Sequence, residues 1–206
     1  AVFITGCDSG LGYSLALHCC SSSGLTVFAG LLEPESPALN FLRGVAEESG
    51  RLHFVPLDVT RGESVNAAVE HVSAKLKELD LHLIGVINNA GVMVFGEYEW
   101  LTDGLIEKQL DVNLRGTMRL TRQLMPLIRQ HRSRVINVTS HCGLSALPGL
   151  SVYCATKAAL NSWSDALRME LKKFGVHVVK FVPGKFLVVP ELCMRRDLML
   201  SSILYA

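Results

Sequence analysis

Six short apolar runs, at residues 1–5, 25–30, 52–57, 83–88, 135–139 and 176–182, alternate with stretches of helical periodicity. Runs of this length bounded by turn formers read as buried strands. Between two of them Val65, Ala68, Val69, Val72, Leu76 and Leu79 recur at helical spacing and form one apolar helix face. A short polar helix is expected over 38–48, and a long helix carries Ile106, Leu110, Leu114, Leu120, Leu124 and Ile128. Strands alternating with helices require right-handed crossovers and a parallel sheet. The predicted fold is an α/β, doubly wound parallel sheet flanked by helices on both faces. Ligands of such sheets gather at the C-terminal ends of the strands, and there the polar residues fall.

The first strand runs into Thr5-Gly6-Cys7-Asp8-Ser9-Gly10-Leu11-Gly12, with Leu15 and Cys19 following at helical spacing. Gly6 permits a tight turn, Gly10 lets the backbone approach a ligand, and Gly12 lets helix and sheet pack closely. A diphosphate on the N–H groups of that helix start is the expected ligand. The second strand ends at Gly30-Leu31-Leu32-Glu33, with neither an Asp at its tip nor an Arg beside it. The third ends at Asp58-Val59-Thr60, where Asp58 either caps the next helix or meets an adenine amino group. The fourth ends at Asn88-Asn89-Ala90-Gly91, whose amides can join neighbouring strands and whose glycine leaves room for a ring. On the long helix Asn113 is a polar member of the core-facing stripe, ordinarily a satisfied core amide.

The fifth strand leads into Ser140, a punctuated loop, and a helix from about residue 151 that carries Tyr153 and Lys157. Four residues apart, those two side chains share a helix face. A free tyrosine, with a pKa of about 10, is a poor acid–base group at neutral pH. A nearby lysine cation favours the phenolate and brings it towards the working range. Ser140 presents a hydroxyl to the same point.

Composition removes other classes. Hydrophobic residues make up 49% and charged residues 19%, a globular balance. Net charge is +1 with no basic block beyond Arg195-Arg196, which argues against nucleic acid as a partner. The six cysteines lack Cys-x-x-Cys or zinc spacing, so no metal is expected, and Cys19-Cys20 suits a reducing, intracellular compartment. No apolar run reaches the roughly 18 residues of a membrane span. Residues 1–206 are read as a single domain, a fragment lacking the extreme N-terminus and a C-terminal strand and lid. Membrane association of the full-length protein stays open, as does a cytoplasmic against an endoplasmic-reticulum or mitochondrial setting.

With these residues in hand the chain resembles the short-chain dehydrogenase/reductase family, with a Rossmann-like fold. The resemblance rests on Thr5-Gly6-x-x-x-Gly10-x-Gly12, Asp58, Asn88-Asn89-Ala90-Gly91, Asn113, Ser140, Tyr153-x-x-x-Lys157 and Pro183-Gly184, in order along nearly the whole chain. Ser140 and Tyr153 also lie 13 residues apart, as in that family. It implies Tyr153 as acid–base, Lys157 lowering its pKa and holding the nicotinamide ribose, Ser140 orienting the substrate oxygen, and Asn113 holding a relay water. The implied cofactor contacts are Thr5, Gly6, Asp8, Ser9, Gly10, Leu11, Gly12, Leu31, Asp58, Val59, Asn89, Ala90, Gly91, Tyr153, Lys157, Pro183 and Gly184. It further implies a homodimer or homotetramer through the Asn113 and Tyr153 helices. Val188 departs from the family, which carries a Thr there against the nicotinamide carboxamide.

Within the family, Thr-Gly-Cys-Asp-Ser-Gly-Leu-Gly looks like the cluster of hydroxysteroid, retinol and D-3-hydroxybutyrate dehydrogenases. The runs 95–100 and 137–144 look most like arthropod Shroud-type enzymes of ecdysteroid synthesis. The expected reaction interconverts a secondary alcohol and a ketone on a hydrophobic, steroid-like substrate. Retinol and D-3-hydroxybutyrate are the alternatives within that chemistry. The pocket walls are expected at Val94, Phe95, Cys142, Leu144, Leu147, Pro148, Leu150, Phe186 and Leu187. A hydroxybutyrate carboxylate would want a cation, and only His141 and Lys185 are near. NAD is favoured over NADP because no cation stands near Gly30 or in the glycine turn, and Asp8 would repel a 2′-phosphate. A cofactor-binding sensor or scaffold without catalysis is the reading from another class.

Overall fold

The computed structural model describes residues 1–184. Six parallel strands, β1 (Val2–Thr5), β2 (Val27–Leu31), β3 (Leu52–Pro56), β4 (Gly85–Asn88), β5 (Arg134–Val138) and β6 (His177–Phe181), form one sheet in the order β3-β2-β1-β4-β5-β6. The strand order reverses between β1 and β4, so the crevice for a ligand opens above their ends. The helices are α1 (Gly10–Ser21), α2 (Asn40–Ser49), α3 (Gly62–Glu78), α4 (Asp103–Leu110), α5 (Thr117–His131) and α6 (Ser151–Leu171).

Side chains alternate across a strand, and here both faces are covered, which is why the strand sequences are apolar throughout. Val2, Ile4, Val27, Ala29 and Leu31 pack with Leu15, Ala16, Cys19 and Cys20 of α1 and Leu42 of α2. Phe3, Phe28, Val86 and Val135 face the other way, against Val65, Val72, Leu120, Leu124, Leu167 and Leu171 of α3, α5 and α6. Cys7, Cys19, Cys20 and Cys154 are buried free thiols and Cys142 is half-buried.

The elements depart from the sequence pattern in instructive places. The 83–88 run becomes strand only from Gly85, because Leu83 is engaged elsewhere: its N–H donates to His131 Nδ1 (3.1 Å) and its carbonyl accepts from Ser133 Oγ. The 38–48 helix begins with a 3₁₀ turn, Pro37–Leu39, before α2. The long helix divides into α4 and α5 around a wide π turn, Asp111–Gly116, in which Asn113 is fully buried. Asp58 does not cap α3, whose N-cap is Arg61. Its Oδ1 instead accepts from the N–H (2.9 Å) and hydroxyl (2.6 Å) of Thr60 and closes its own turn.

Candidate active site

The glycine turn after β1 is shaped by what its residues lack. A Cβ on Gly12 would lie 2.2 Å from the Gly6 carbonyl oxygen and 2.5 Å from Asn89 Nδ2. Gly6 has a φ of +69°, and a Cβ there would meet Ala90 Cα at 2.8 Å. Gly10, at φ +59°, has nothing within 4 Å of an added Cβ, so it opens onto free space. Ser9 is the N-cap of α1 but its side chain makes no capping bond, and no acidic residue stands in the first turn. The N–H groups of that turn are left to an anion. Thr5 Oγ1 accepts from the N–H groups of Asn89 (3.0 Å) and Ala90 (2.9 Å), and Asn89 Nδ2 donates to the carbonyls of Thr5 (2.9 Å) and Gly6 (3.1 Å). The ends of β1 and β4 are thereby fixed to one another. One turn below, Asn88 Nδ2 donates to Asn137 Oδ1 (2.8 Å) and Thr121 Oγ1 (3.0 Å), and Asn137 Nδ2 to Ser164 Oγ (2.8 Å). This buried chain ties β4 and β5 to α5 and α6.

The second cluster lies above β5. Ser140 follows the strand in extended backbone, and its Oγ accepts from Cys142 N–H (3.1 Å). The same hydroxyl lies near enough to that of Tyr153 to favour its phenolate. Lys157 is 4% exposed, and its Nζ donates to the Val138 carbonyl (2.9 Å), 5.8 Å from the Tyr153 ring centre. Gly91 lies beside it: a Cβ there would stand 3.6 Å from Lys157 Nζ and 3.4 Å from Asn113 Oδ1. The Asn113 amide is well anchored, with Oδ1 accepting from Val92 N–H (2.8 Å) and Nδ2 donating to Val92 carbonyl (2.8 Å) and Thr156 Oγ1 (3.1 Å). Thr156 donates in turn to the Tyr153 carbonyl (2.7 Å).

Burial controls the ionisation of this cluster. It lowers the Lys157 ammonium to about 8, because the charged form loses its water. It raises the Tyr153 phenol above its ordinary value, while the Ser140 hydroxyl pulls the other way. Lys157 is turned down to the Val138 carbonyl, and its charge does not outweigh the burial of Tyr153 in this arrangement.

Around the mouth, Met93, Phe95, Tyr98 and Trp100 from the β4–α4 loop and Leu144 and Leu147 from the β5–α6 loop are exposed. The loops meet where Gly96 N–H donates to the Gly149 carbonyl (2.9 Å).

The model of the short chain dehydrogenase family matches residues 1–191. This chain belongs to that family. It is 39% identical over 192 residues to the mitochondrial D-beta-hydroxybutyrate dehydrogenase of Mus musculus, covering 93% of this chain and 56% of the relative. Estradiol 17-beta-dehydrogenase 2 of Mus musculus is 41% identical over 187 residues, 90% of this chain and 48% of the relative. The chain thus spans about half the length of these curated relatives. Among solved structures, an NADPH-bound carbonyl reductase from chicken fatty liver superposes with a TM-score of 0.78 at 26% identity, covering 87% of this chain and 77% of that one.

The nicotinamide dinucleotide that a short-chain dehydrogenase implies fits the residues present. The uncapped start of α1 and the open space over Gly10 leave main-chain groups clear for a diphosphate, and Gly91 sets its bare backbone beside Lys157 and Asn113. Leu31 and Val59 are buried in the two cores, so each has only its main chain for a ligand. Pro183, at the end of β6, accepts at its carbonyl from His141 N–H (3.1 Å). Leu150, named as a wall, is buried at the head of α6. Lys185, Phe186, Leu187 and Val188 lie outside the described residues. Sequence reasoning missed Thr156, Asn161 and Ser164, although each is a polar member of an otherwise apolar stripe on α6. It missed the role of Gly143 too: a Cβ there would lie 2.7 Å from the Lys157 backbone, so the loop rests directly on α6. Among the described residues no helix is long and apolar enough to cross a membrane, and no cluster of His, Cys, Asp or Glu could hold a metal.

Proposed function

We propose that this chain is the dinucleotide-binding and catalytic part of an NAD(H)-dependent oxidoreductase that interconverts a secondary alcohol and a ketone on a hydrophobic, steroid-like substrate. The observation that carries the reading is the grouping of Ser140 and Tyr153 with a buried Lys157, beneath an apolar mouth. The bound nicotinamide supplies or accepts the hydride. Tyr153 gives a proton to the substrate oxygen in reduction and takes it in oxidation. Ser140 donates a hydrogen bond to that oxygen and holds it against Tyr153. Lys157, charged below about pH 8, stabilises the phenolate when it forms. Asn113, held in place by Val92 and Thr156, is proposed to carry the relay water.

The substrate class follows from the walls. Residues 93–100 and 141–150 contain no Arg or Lys, and Glu97 and Glu99 would repel a carboxylate. That favours a steroid over 3-hydroxybutyrate, and the similar proteins include dehydrogenases of both. Ecdysteroid synthesis is the finer reading. Association of two copies through α5 and α6 is proposed with it, supported by Met169 exposed on α6. The test uses the full-length protein with a sterol panel, retinol and 3-hydroxybutyrate. Tyr153→Phe is expected to lower kcat by about 10³-fold while NADH binding stays within about threefold, a loss typical of a missing proton donor. Equal loss of cofactor binding, or no turnover in the unaltered protein, would favour a sensor or scaffold instead.

A further inference from the structure

The structure assigns to Asn161 the task of holding the Ser140 turn in register with Tyr153, as a positioning residue that acts through Gly143. This rests on the oxidoreductase reading above. Tyr153, Lys157 and Asn161 stand at every fourth position of α6 and share one helix face. The first two serve the proposed proton transfer, and Asn161 lies one turn further on.

Asn161 is 7% exposed, and packing does not explain an amide there. Its Nδ2 donates to the Gly143 carbonyl at 3.3 Å, and its Oδ1 is buried with no hydrogen-bond partner among the described residues. A buried acceptor in that state costs stability, and a bond of that length returns little. An apolar side chain of the same shape would serve the core as well. What the amide does instead is select one carbonyl of the loop as its partner.

That carbonyl belongs to the turn that carries Ser140. Residues His141–Gly143 form a 3₁₀ turn capped by Ser140. Ser140 Oγ accepts from Cys142 N–H (3.1 Å), and its carbonyl accepts from Gly143 N–H (3.0 Å). Ser140 and Gly143 therefore move as one piece. The turn lies flat on α6: a Cβ on Gly143 would stand 2.7 Å from the Lys157 carbonyl carbon and 2.7 Å from Asn161 Nδ2. Such contact is non-directional, and the directed bond from Asn161 fixes where on the helix the turn rests. The helix that carries Tyr153 thus also sets the place of the hydroxyl opposite it. That hydroxyl favours the Tyr153 phenolate, so a displaced turn would leave the phenol harder to ionise.

The test is steady-state oxidation by the full-length protein with NAD, using whichever of estradiol, retinol and 3-hydroxybutyrate the unaltered protein turns over. Asn161→Leu keeps the size of the side chain and removes the bond. Its kcat should fall about tenfold, the order produced by displacement of a fraction of an ångström. KM and NADH affinity should stay within about threefold, and the melting temperature within about 4 °C. The rising limb of kcat against pH should move up by about half a unit or more. Gly143→Ala pushes the same turn off the helix and should lower kcat by a similar factor. The double variant should lose no more than about twofold beyond the larger single loss, because both changes break one registration. A lower melting temperature in Asn161→Leu with kcat and the pH limb unmoved would overturn the assignment. So would kcat losses that multiply in the double variant, and either result leaves the oxidoreductase reading standing. Should Asn161→Leu not fold, Asn161→Ala takes its place under the same criteria. No turnover of any of the three alcohols by the unaltered protein would overturn both.

Discussion

The turns after β1 and after β5 do the same architectural job and reach it by opposite means. Each carries the chain from the C-terminal end of a strand towards a helix at the rim of one crevice. The β1–α1 turn is made of omissions: glycines where a Cβ would strike backbone, a serine that caps nothing, and open space over Gly10. The β5–α6 connection is made of side chains: Ser140, Tyr153 and Lys157 grouped together, braced by Thr156 and Asn113. On the proposed function the first would bind through main-chain N–H groups, which needs nothing in the way. The second would move a proton, which needs ionisable groups held out of water. The comparison teaches that deleting atoms should damage the second turn's chemistry and adding atoms should damage the first turn's fold.

The largest effect should come from deletion at Lys157. Lys157→Met is expected to lower kcat by about 10³-fold, within the range seen when acid–base catalysis is lost. Stability should move the other way. The unfolded ammonium titrates at 10.5 and the folded one at about 8. A lowered base favours the neutral form in the fold, so burying the charge costs stability below pH 8. That cost is relieved as pH rises from 8 to 10.5, by about 3 kcal/mol at 1.36 kcal/mol per unit. Against the lost bond to Val138 carbonyl, about 1 kcal/mol, the variant should be more stable at pH 7 by about 2 kcal/mol. Urea denaturation at pH 7 and 10 checks both signs. A Lys157→Met protein less stable than the parent at pH 7 would show that Lys157 braces the fold.

Next in size is addition at Gly12. Its Cβ would stand 2.2 Å from a backbone oxygen that no rotamer change can move. Gly12→Ala should therefore cost about 3 kcal/mol or more, as severe overpacking does. Differential scanning calorimetry without cofactor is the measurement. A loss under about 1 kcal/mol would mean that α1 can slide on the sheet, and the first turn would then be no more rigid than an ordinary loop.

These same turns show what a sequence can and cannot carry. Strand positions were legible because both faces of the sheet are covered, which writes the strands as unbroken apolar runs. Tyr153 and Lys157 were legible because helical spacing alone puts them together. The burial of Leu31 was also available, since it shares strand parity with Val27 and Ala29 and must face the same core. The π turn was not, because residues 111–116 have ordinary helical composition and the cause lies in a remote partner. Asn113 reaches both main-chain groups of Val92, and Gly116 lies against Val59. The Asp58 turn, the bond that Asp8 Oδ1 accepts from Glu33 N–H and those that Arg43 donates to the Ser36 and Pro34 carbonyls were hidden for the same reason. Each depends on where a polar side chain finds its acceptor, and several acceptors within reach have equal sequence standing.

The smallest effect separates two glycines that look alike on paper. Gly10 and Gly12 both belong to the motif, yet a Cβ on Gly10 meets nothing within 4 Å. Its φ of +59° still penalises alanine, by about 1 kcal/mol. Gly10→Ala should therefore melt close to the parent and far above Gly12→Ala. The methyl group would nevertheless stand in the space that faces the diphosphate, so NADH affinity should fall by about tenfold or more, as when a close main-chain approach is blocked. Calorimetry paired with NADH titration on the same preparations reads both. If Gly10→Ala loses as much stability as Gly12→Ala, the open space over Gly10 is not kept for a ligand. If it loses none and binds NADH as before, the diphosphate approaches α1 from another side, and the first turn's omissions serve packing alone.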